Sequence, residues 1–277
     1  MPEDEGDDSA LSKVFVEHCD LQHEAILEIG CGSSHEMSRI LSKIYDRPVA
    51  AIDIDPGMLT RAKHAKGFEC VDYLAMNACN LMFKNQSFDT IVLFNALHFI
   101  TSIEKFFTEA RRVLTPSGKI IVISKDMPKL AIPDDSSFSS SSAETVDDML
   151  NEALGLLVEV FHQELVEHWS LEISDNHRRY CDPSQANLSK ILCGLVRLDD
   201  IMSDRLLPIL ELQETISKWR VAQKYINKNG WDAFEEHFSR FLSDVALILG
   251  IAEKDLYFED IPLIMKSRFC VQIHSKI

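Results

Sequence analysis

The sequence predicts an α/β fold: a doubly wound, mostly parallel sheet with a helical insertion between its fifth and sixth strands. Three observations carry this. Over residues 25–125, short apolar runs alternate with amphipathic stretches, the pattern of parallel strands joined by right-handed crossovers. A glycine pair, Gly30 and Gly32, closes the first apolar run and leads straight into a helix start. After residue 142 the pattern turns helical, and alternation returns only near the end, where Phe269, Val271 and Ile273 interleave with Cys270, Gln272 and His274.

The elements follow in order. Residues 1–8 read as a solvated acidic tail, and Ser9 caps a helix from Ala10 to Cys19 with Leu11, Val14 and Phe15 on one face. The first strand is Ala25 to Ile29. After the glycine turn, Ser33 or Ser34 caps a helix to about Tyr45, with Met37, Ile40, Leu41 and Ile44 at helical spacing. The second strand, Val49 to Ile54, is nearly all apolar, as a strand buried on both faces should be. Asp55-Pro56 opens the next helix with proline at its first position. The third strand is Phe68 to Leu74 and the fourth Thr90 to Phe94. A helix from Ile103 to Leu114 carries the stripe Phe106, Phe107, Ala110, Val113 and Leu114. Pro116-Ser117-Gly118 is a tight turn before a fifth strand, Lys119 to Ser124. Residues 131–142 form a serine-rich linker. Helices are expected at Val146–Trp169, Gln185–Ile201, Ile209–Lys228 and Trp231–Leu249, and strands six and seven within 254–277.

Composition excludes several classes of function. The 277 residues carry 28 basic and 44 acidic side chains, a net charge of −16. Nucleic-acid affinity rests on Lys/Arg–phosphate contacts, so nucleic acid and anionic membrane surfaces are disfavoured as partners. The 7 cysteines are scattered with no C-x-x-C spacing, which reads as reduced thiols in a cytoplasmic setting with no zinc site. The acidic start is unlike a signal peptide, and no apolar stretch is long enough to span a bilayer.

The stretch Glu28-Ile29-Gly30-Cys31-Gly32 lets a ligand lie against bare backbone at a helix start. A dinucleotide fingerprint would place a third glycine where His35 stands, and Glu28 would repel a pyrophosphate. S-adenosylmethionine (SAM) fits better: it has no phosphate, carries a sulfonium cation and offers an ammonium for a carboxylate to hold. Asp53 closes the second strand, where nucleotide-binding α/β folds place the acid that holds a ribose hydroxyl. Its alternative is a simple turn cap, and Asp53-Ile54-Asp55 also has the form of a metal-binding D-x-D, against which its place on the second strand argues.

Taken together, residues 25–125 resemble the class I SAM-dependent methyltransferases of the type 11 kind. Glu28 to Gly32 resembles their first motif, and Ile52-Asp53-Ile54-Asp55-Pro56-Gly57-Met58-Leu59 their acidic second motif. Asn77-Ala78 stands where they carry Asp-Ala beside the adenine. Phe88-Asp89 and Asn95-Ala96-Leu97-His98 resemble their fourth-strand motif, and Leu114 to Lys119 the turn before their fifth strand. Two positions depart from the pattern: Ser34 replaces a third glycine, and Asn77 replaces the aspartate. The resemblance implies a Rossmann-like core over 1–130, a helical region over 131–253 that covers the substrate, and a return to the sheet over 254–277. It also implies a cofactor set of Glu28, Gly30, Cys31, Gly32, Asp53, Ile54, Met58, Asn77, Ala78 and Asn95, with S-adenosylhomocysteine as product.

Methyl transfer from a sulfonium requires alignment and water exclusion more than a catalytic signature. His98, just past the fourth strand, is the candidate base; the alternative is a histidine packed under the first helix. Asn95 contacts ligand or merely ends a strand, and Asp89 reads as structural. Cys31 is also a small filler of the turn, and Met58 and Met76 have core readings. His168, Trp169, His177, Arg178, Arg179 and Tyr180 form an acceptor pocket or a solvated loop. The leading hypothesis is a methyltransferase acting on a small-molecule acceptor. A second is a catalytically silent subunit of the same fold that binds a protein partner, and a third an NAD-dependent enzyme. A homo-oligomer is compatible with each.

Overall fold

The computed structural model describes residues 5–20, 23–32, 36–45, 48–64, 70–133, 143–163, 195–197, 200–257 and 261–275. The chain divides into two compact units: Met1–Asp126 with Leu171–Met202 and Arg268–Ile277, and Met127–Ser170 with Ser203–Ser267.

The first unit is built on a mostly parallel sheet. Its strands are β1 (Ile26–Ile29), β2 (Val49–Asp53), β3 (Val71–Ala75), β4 (Phe88–Phe94) and β5 (Leu114–Lys125), in the order β3-β2-β1-β4-β5. The helices α1 (Glu5–His18), α2 (Glu36–Ile44), α3 (Pro56–His64) and α4 (Ile103–Val113) connect or flank them. β1 pairs in parallel with β2 on one side, Leu27 opposite Ala50, and with β4 on the other, Leu27 opposite Ile91. The strand order therefore reverses between β1 and β4. The last residues of the long strand β9 (Pro262–Ser275) run antiparallel to β5, with Phe269 opposite Lys125 and Ser275 opposite Lys119.

Both faces of this sheet are covered by apolar packing. Leu11, Phe15, Met37, Ile40 and Leu41 of α1 and α2 bury against Val92, Ile121, Ile123, Phe269 and Val271. Phe106, Phe107, Ala110 and Val113 of α4 bury against Leu27, Ile91, Leu93 and Val122 on the opposite face. The expected stripes on these helices are the buried faces.

Several boundaries differ from expectation. α1 begins at Glu5, one turn into the acidic tail, where carboxylates favour a helix N-terminus. The Pro116-Ser117-Gly118 turn is a bulge within β5: Phe88 pairs with Leu114 and Thr90 already with Lys119, so the residues between loop out. A Cβ on Gly118 would stand 2.9 Å from Leu114 Cδ2, which accounts for glycine there. Instead of two strands over 254–277, the described residues form a short 3₁₀ turn, Glu253–Tyr257, and one strand, β9. The described part of the helix expected over 185–201 is also different. Leu195–Arg197 forms β7, which pairs with β9 from Leu195 opposite His274, and Ile201 opens β8 (Ile201–Pro208). Pairing with the β9 edge overrides the weak helical spacing of that stretch. Residues 33–35, 185–194 and the cluster from His168 to Tyr180 lie outside the described residues.

The second unit contains β6 (Lys129–Ala131), paired with Ile264–Lys266 of β9, and the helices α5 (Ala143–Gln163), α6 (Ile209–Ser217), α7 (Arg220–Asn229) and α8 (Trp231–Leu249). The single helix expected over Ile209–Lys228 is two, broken at Lys218-Trp219, where the Gln223 side chain donates to the Ser217 carbonyl at 2.6 Å. Its core is Leu150, Leu154, Phe161, Leu212, Phe234, Phe238 and Val245, with Phe161 and Phe234 stacked at 5.5 Å.

Candidate functional site

The carboxyl ends of β1, β2, β3 and β4 lie side by side, and the strand order reverses between β1 and β4, the usual ligand position in such sheets. Gly30 and Gly32 both have positive φ, 72° and 63°. The Gly30 and Cys31 amides donate to the Ile52 carbonyl at 2.8 and 3.1 Å, so the turn is pinned to the end of β2. A Cβ on Gly30 would sit 2.7 Å from Ala96 Cβ, whereas one on Gly32 would meet nothing within 4 Å. Gly30 is thus required by packing, and Gly32 opens onto free space.

Asp53 links three loops. Its Oδ2 accepts from the Gly32 amide and its Oδ1 from the Asp55 amide, each at 2.9 Å, while its carbonyl accepts from Met76 N at 3.0 Å. Asp55 Oδ1 accepts from Gly57 N at 2.7 Å. Both carboxylates of the D-x-D form are therefore acceptors for backbone amides. Each oxygen of Asp53 keeps lone-pair capacity for a second donor such as a hydroxyl. The next residue, Ile54, is 70% exposed, a bare apolar surface beside that carboxylate.

Glu28 is only 2% exposed and accepts a hydrogen bond from the Ser38 hydroxyl of α2. Burial, with Asp53 and Glu36 nearby, raises its carboxyl to about 7 despite the Ser38 bond. Among the described residues no cation pairs with Glu28 or Asp53. Among the described residues at the glycine turn, a pyrophosphate would face the carboxylates of Glu28 and Asp53. A cationic ligand would meet the charge it needs.

Other candidates divide. Cys31 turns inward, packing with Ala51, Leu59, Ala62 and Tyr73, and burial with neighbouring carboxylates pushes its thiol far up. Its side chain fills the space beneath the turn. Met58 is half-buried on the first turn of α3. Asn77 is exposed and uses its Oδ1 to accept from Cys79 N at 2.8 Å, with Ala78 packed beneath against the β4 and α4 core. Asn95, at φ 47°, accepts from Lys125 N at 2.7 Å through Oδ1, which ties the end of β4 to β5. His98 lies in a 3₁₀ turn, Leu97–Phe99, and is 7% exposed, its ring 4.0 Å from that of Phe99. Asp89 is structural, accepting from Ala25 N and the Thr115 hydroxyl.

Ser38 and Tyr73 escaped the sequence reading, and Ala96 was read only as part of the fourth-strand motif. The first two lie buried under the glycine turn, and nothing in helical or strand spacing marks a core serine or tyrosine as part of a site.

Comparison with known proteins places this architecture. Residues 27–122 match a family model described as a methyltransferase domain. A demethylmenaquinone methyltransferase of Tropheryma whipplei is 31% identical over 107 residues, 38% of this chain and 44% of the relative. A phthiotriol/phenolphthiotriol dimycocerosates methyltransferase of Mycobacterium ulcerans is 24% identical over 104 residues, 38% of each chain. The chain thus matches well under half the length of these curated relatives. A solved structure from Anaeromyxobacter dehalogenans, described as a candidate type II methyltransferase, superposes with a TM-score of 0.62 at 17% identity, over 97% of this chain and 96% of that one. The fold is that of the class I SAM-dependent methyltransferases.

Proposed function

We propose that this chain, whose residues 27–122 match a methyltransferase domain, is a SAM-dependent methyltransferase acting on a small-molecule acceptor. The observation that carries the reading is Asp53, held by the Gly32 amide at the mouth of β1 and β2 with its outer lone pairs available. Asp53 would take the ribose diol, Ile54 and Met58 an adenine face, and Asn77-Ala78 the adenine edge. Gly32 gives the methionine end room to approach, and Glu28 supplies the charge for its ammonium.

When bound, the donor supplies a methyl group already activated on a sulfonium. The protein's own share is to hold the donor, align the acceptor and keep water away. His98, on the loop after β4, is the group we assign to move a proton from an acceptor that has one to lose; its burial favours a dry transfer.

A small acceptor is supported by the net charge of −16, which opposes nucleic acid, and by a relative named for demethylmenaquinone. Among the described residues no helix is long and apolar enough to cross a membrane. The scattered cysteines favour a cytoplasmic setting.

Calorimetric titration with SAM, S-adenosylhomocysteine and NAD tests the reading. We expect binding of the first two and none of NAD, and at least a tenfold loss of affinity in Asp53→Ala. Unchanged affinity in that variant, or no binding by a folded protein, would overturn it; the second result would instead support the silent subunit.

A further inference from the structure

Beneath the glycine turn, Glu28 of β1, Ser38 of α2 and Tyr73 of β3 meet in a buried group. Glu28 and Tyr73 are 2% and 6% exposed and Ser38 is wholly buried. The Ser38 hydroxyl donates to Glu28 Oε2. The Tyr73 hydroxyl stands beside Ser38, is sealed from solvent and makes no hydrogen bond among the described residues. An orphaned buried hydroxyl is costly, so a state of the protein that satisfies it is expected. Among the described residues, the charged or titratable neighbours of Glu28 are Asp53 from β2, Glu36 from α2, and Tyr73 and Cys31. All of these become negative or stay neutral. A carboxylate buried among them requires either a proton or an arriving cation.

We propose that Ser38 and Tyr73 are positioning residues for the cationic end of the methyl donor, acting through Glu28, which carries a proton in the ligand-free protein and gives it up when the donor binds. The inference rests on the donor assignment above. The Glu28 O–H bond breaks, the proton leaves to solvent, and the donor's ammonium takes over its charge. The Ser38 hydroxyl keeps the carboxylate in place, and Tyr73 turns to donate to Ser38 once Glu28 is ionised.

The sign follows from linkage. The carboxyl is raised to about 7 in the free protein, and a docked cation lowers it, so binding favours the deprotonated form. Affinity for the donor should therefore rise about tenfold per pH unit below pH 7 and level off above it. The donor's own ammonium titrates near pH 7.7–8, so a window of about pH 5.5 to 7.5 isolates Glu28.

The experiment titrates the full chain with SAM in buffers of different ionisation enthalpy across that window. Near one proton released per donor at the acid end, falling toward none at the other, is the expected result. Glu28→Gln should release none and bind with flat pH dependence. Ser38→Ala should move the levelling-off to higher pH, because the lost hydrogen bond favoured the ionised form; Tyr73→Phe should move it the same way by less. A purely structural role would change melting temperature without moving the profile. Donor binding by the unaltered protein with no proton release, or the same release from Glu28→Gln, would overturn the inference while leaving the donor assignment standing. Failure to bind SAM at every pH would overturn both.

Discussion

The Cβ that Gly30 lacks would stand 2.7 Å from Ala96 Cβ, so the turn after β1 and the turn after β4 touch backbone to side chain. That contact brings the two loops flanking the reversal of strand order into one surface, and it separates the roles of the two glycines.

Gly30→Ala should destabilise the fold by about 2–4 kcal/mol, from a left-handed backbone conformation and from overpacking against Ala96. Gly32→Ala meets no neighbour and should cost only about 1–2 kcal/mol, the conformational part alone. Its donor affinity should nonetheless fall more than its stability predicts, because the added methyl occupies the space left for a ligand. Urea unfolding and donor titration on both variants check the crossover.

Arg112 of α4 clamps the loop before β4. It donates to the carbonyls of Leu81 at 2.6 Å and Phe83 at 2.8 Å and to Asn85 Oδ1 at 3.0 Å. Glu109 completes the clamp, bonding Arg112 and accepting from Leu81 N at 2.8 Å. The planar fork makes several bonds at once, which lysine cannot reproduce. Arg112→Lys should therefore speed amide exchange across residues 77–87 and weaken donor binding by way of Asn77-Ala78, with the sheet itself unaffected. Exchange confined to the far end of α4 would contradict this.

The first half of the fold was legible because its signals are local. An apolar run buried on both faces, a glycine pair and an acid at a strand end each announce an element without help from distant residues. The second half was not. β7 and β8 exist because β9 offers an edge, and no spacing within 195–208 encodes that partner. The site divides in the same way. Asp53 and the glycines could be read directly, whereas Ser38 and Tyr73 join it only through tertiary contact. Asn95 was readable as a strand-end residue, but the bond its Oδ1 accepts from Lys125 N spans 30 residues of sequence separation.

That bond makes Asn95 a test of its own. Asn95→Ala loses it and places a Cβ-bearing residue without a local hydrogen bond at φ 47°. Asn95→Gly loses the bond but relieves the backbone. Alanine should cost about 1–3 kcal/mol and glycine roughly 1 kcal/mol less. The reverse order in denaturant unfolding would mean that the left-handed backbone at φ 47° does not strain a residue bearing a Cβ.

His274 provides the pH test of stability. It lies in β9, fully buried, opposite Ile120 on one side and Leu195 on the other, and neither ring nitrogen has a partner among the described residues. Burial lowers its value to about 4, so it folds as the neutral imidazole. The unfolded chain takes up a proton at about pH 6.5, which the folded one refuses until about pH 4. Its contribution is therefore whole above pH 6.5 and is lost as pH falls from there through 4, at about 1.4 kcal/mol per pH unit. His274→Leu removes both the titration and the two unsatisfied nitrogens. It should match or exceed the parent protein's stability at pH 7 by up to about 2 kcal/mol. Its advantage should widen by about 2 kcal/mol at pH 5, where other acid-labile groups act equally on both proteins and cancel in the difference. Melting curves at the two pH values that stay parallel would show that the ring finds a proton acceptor in the fold.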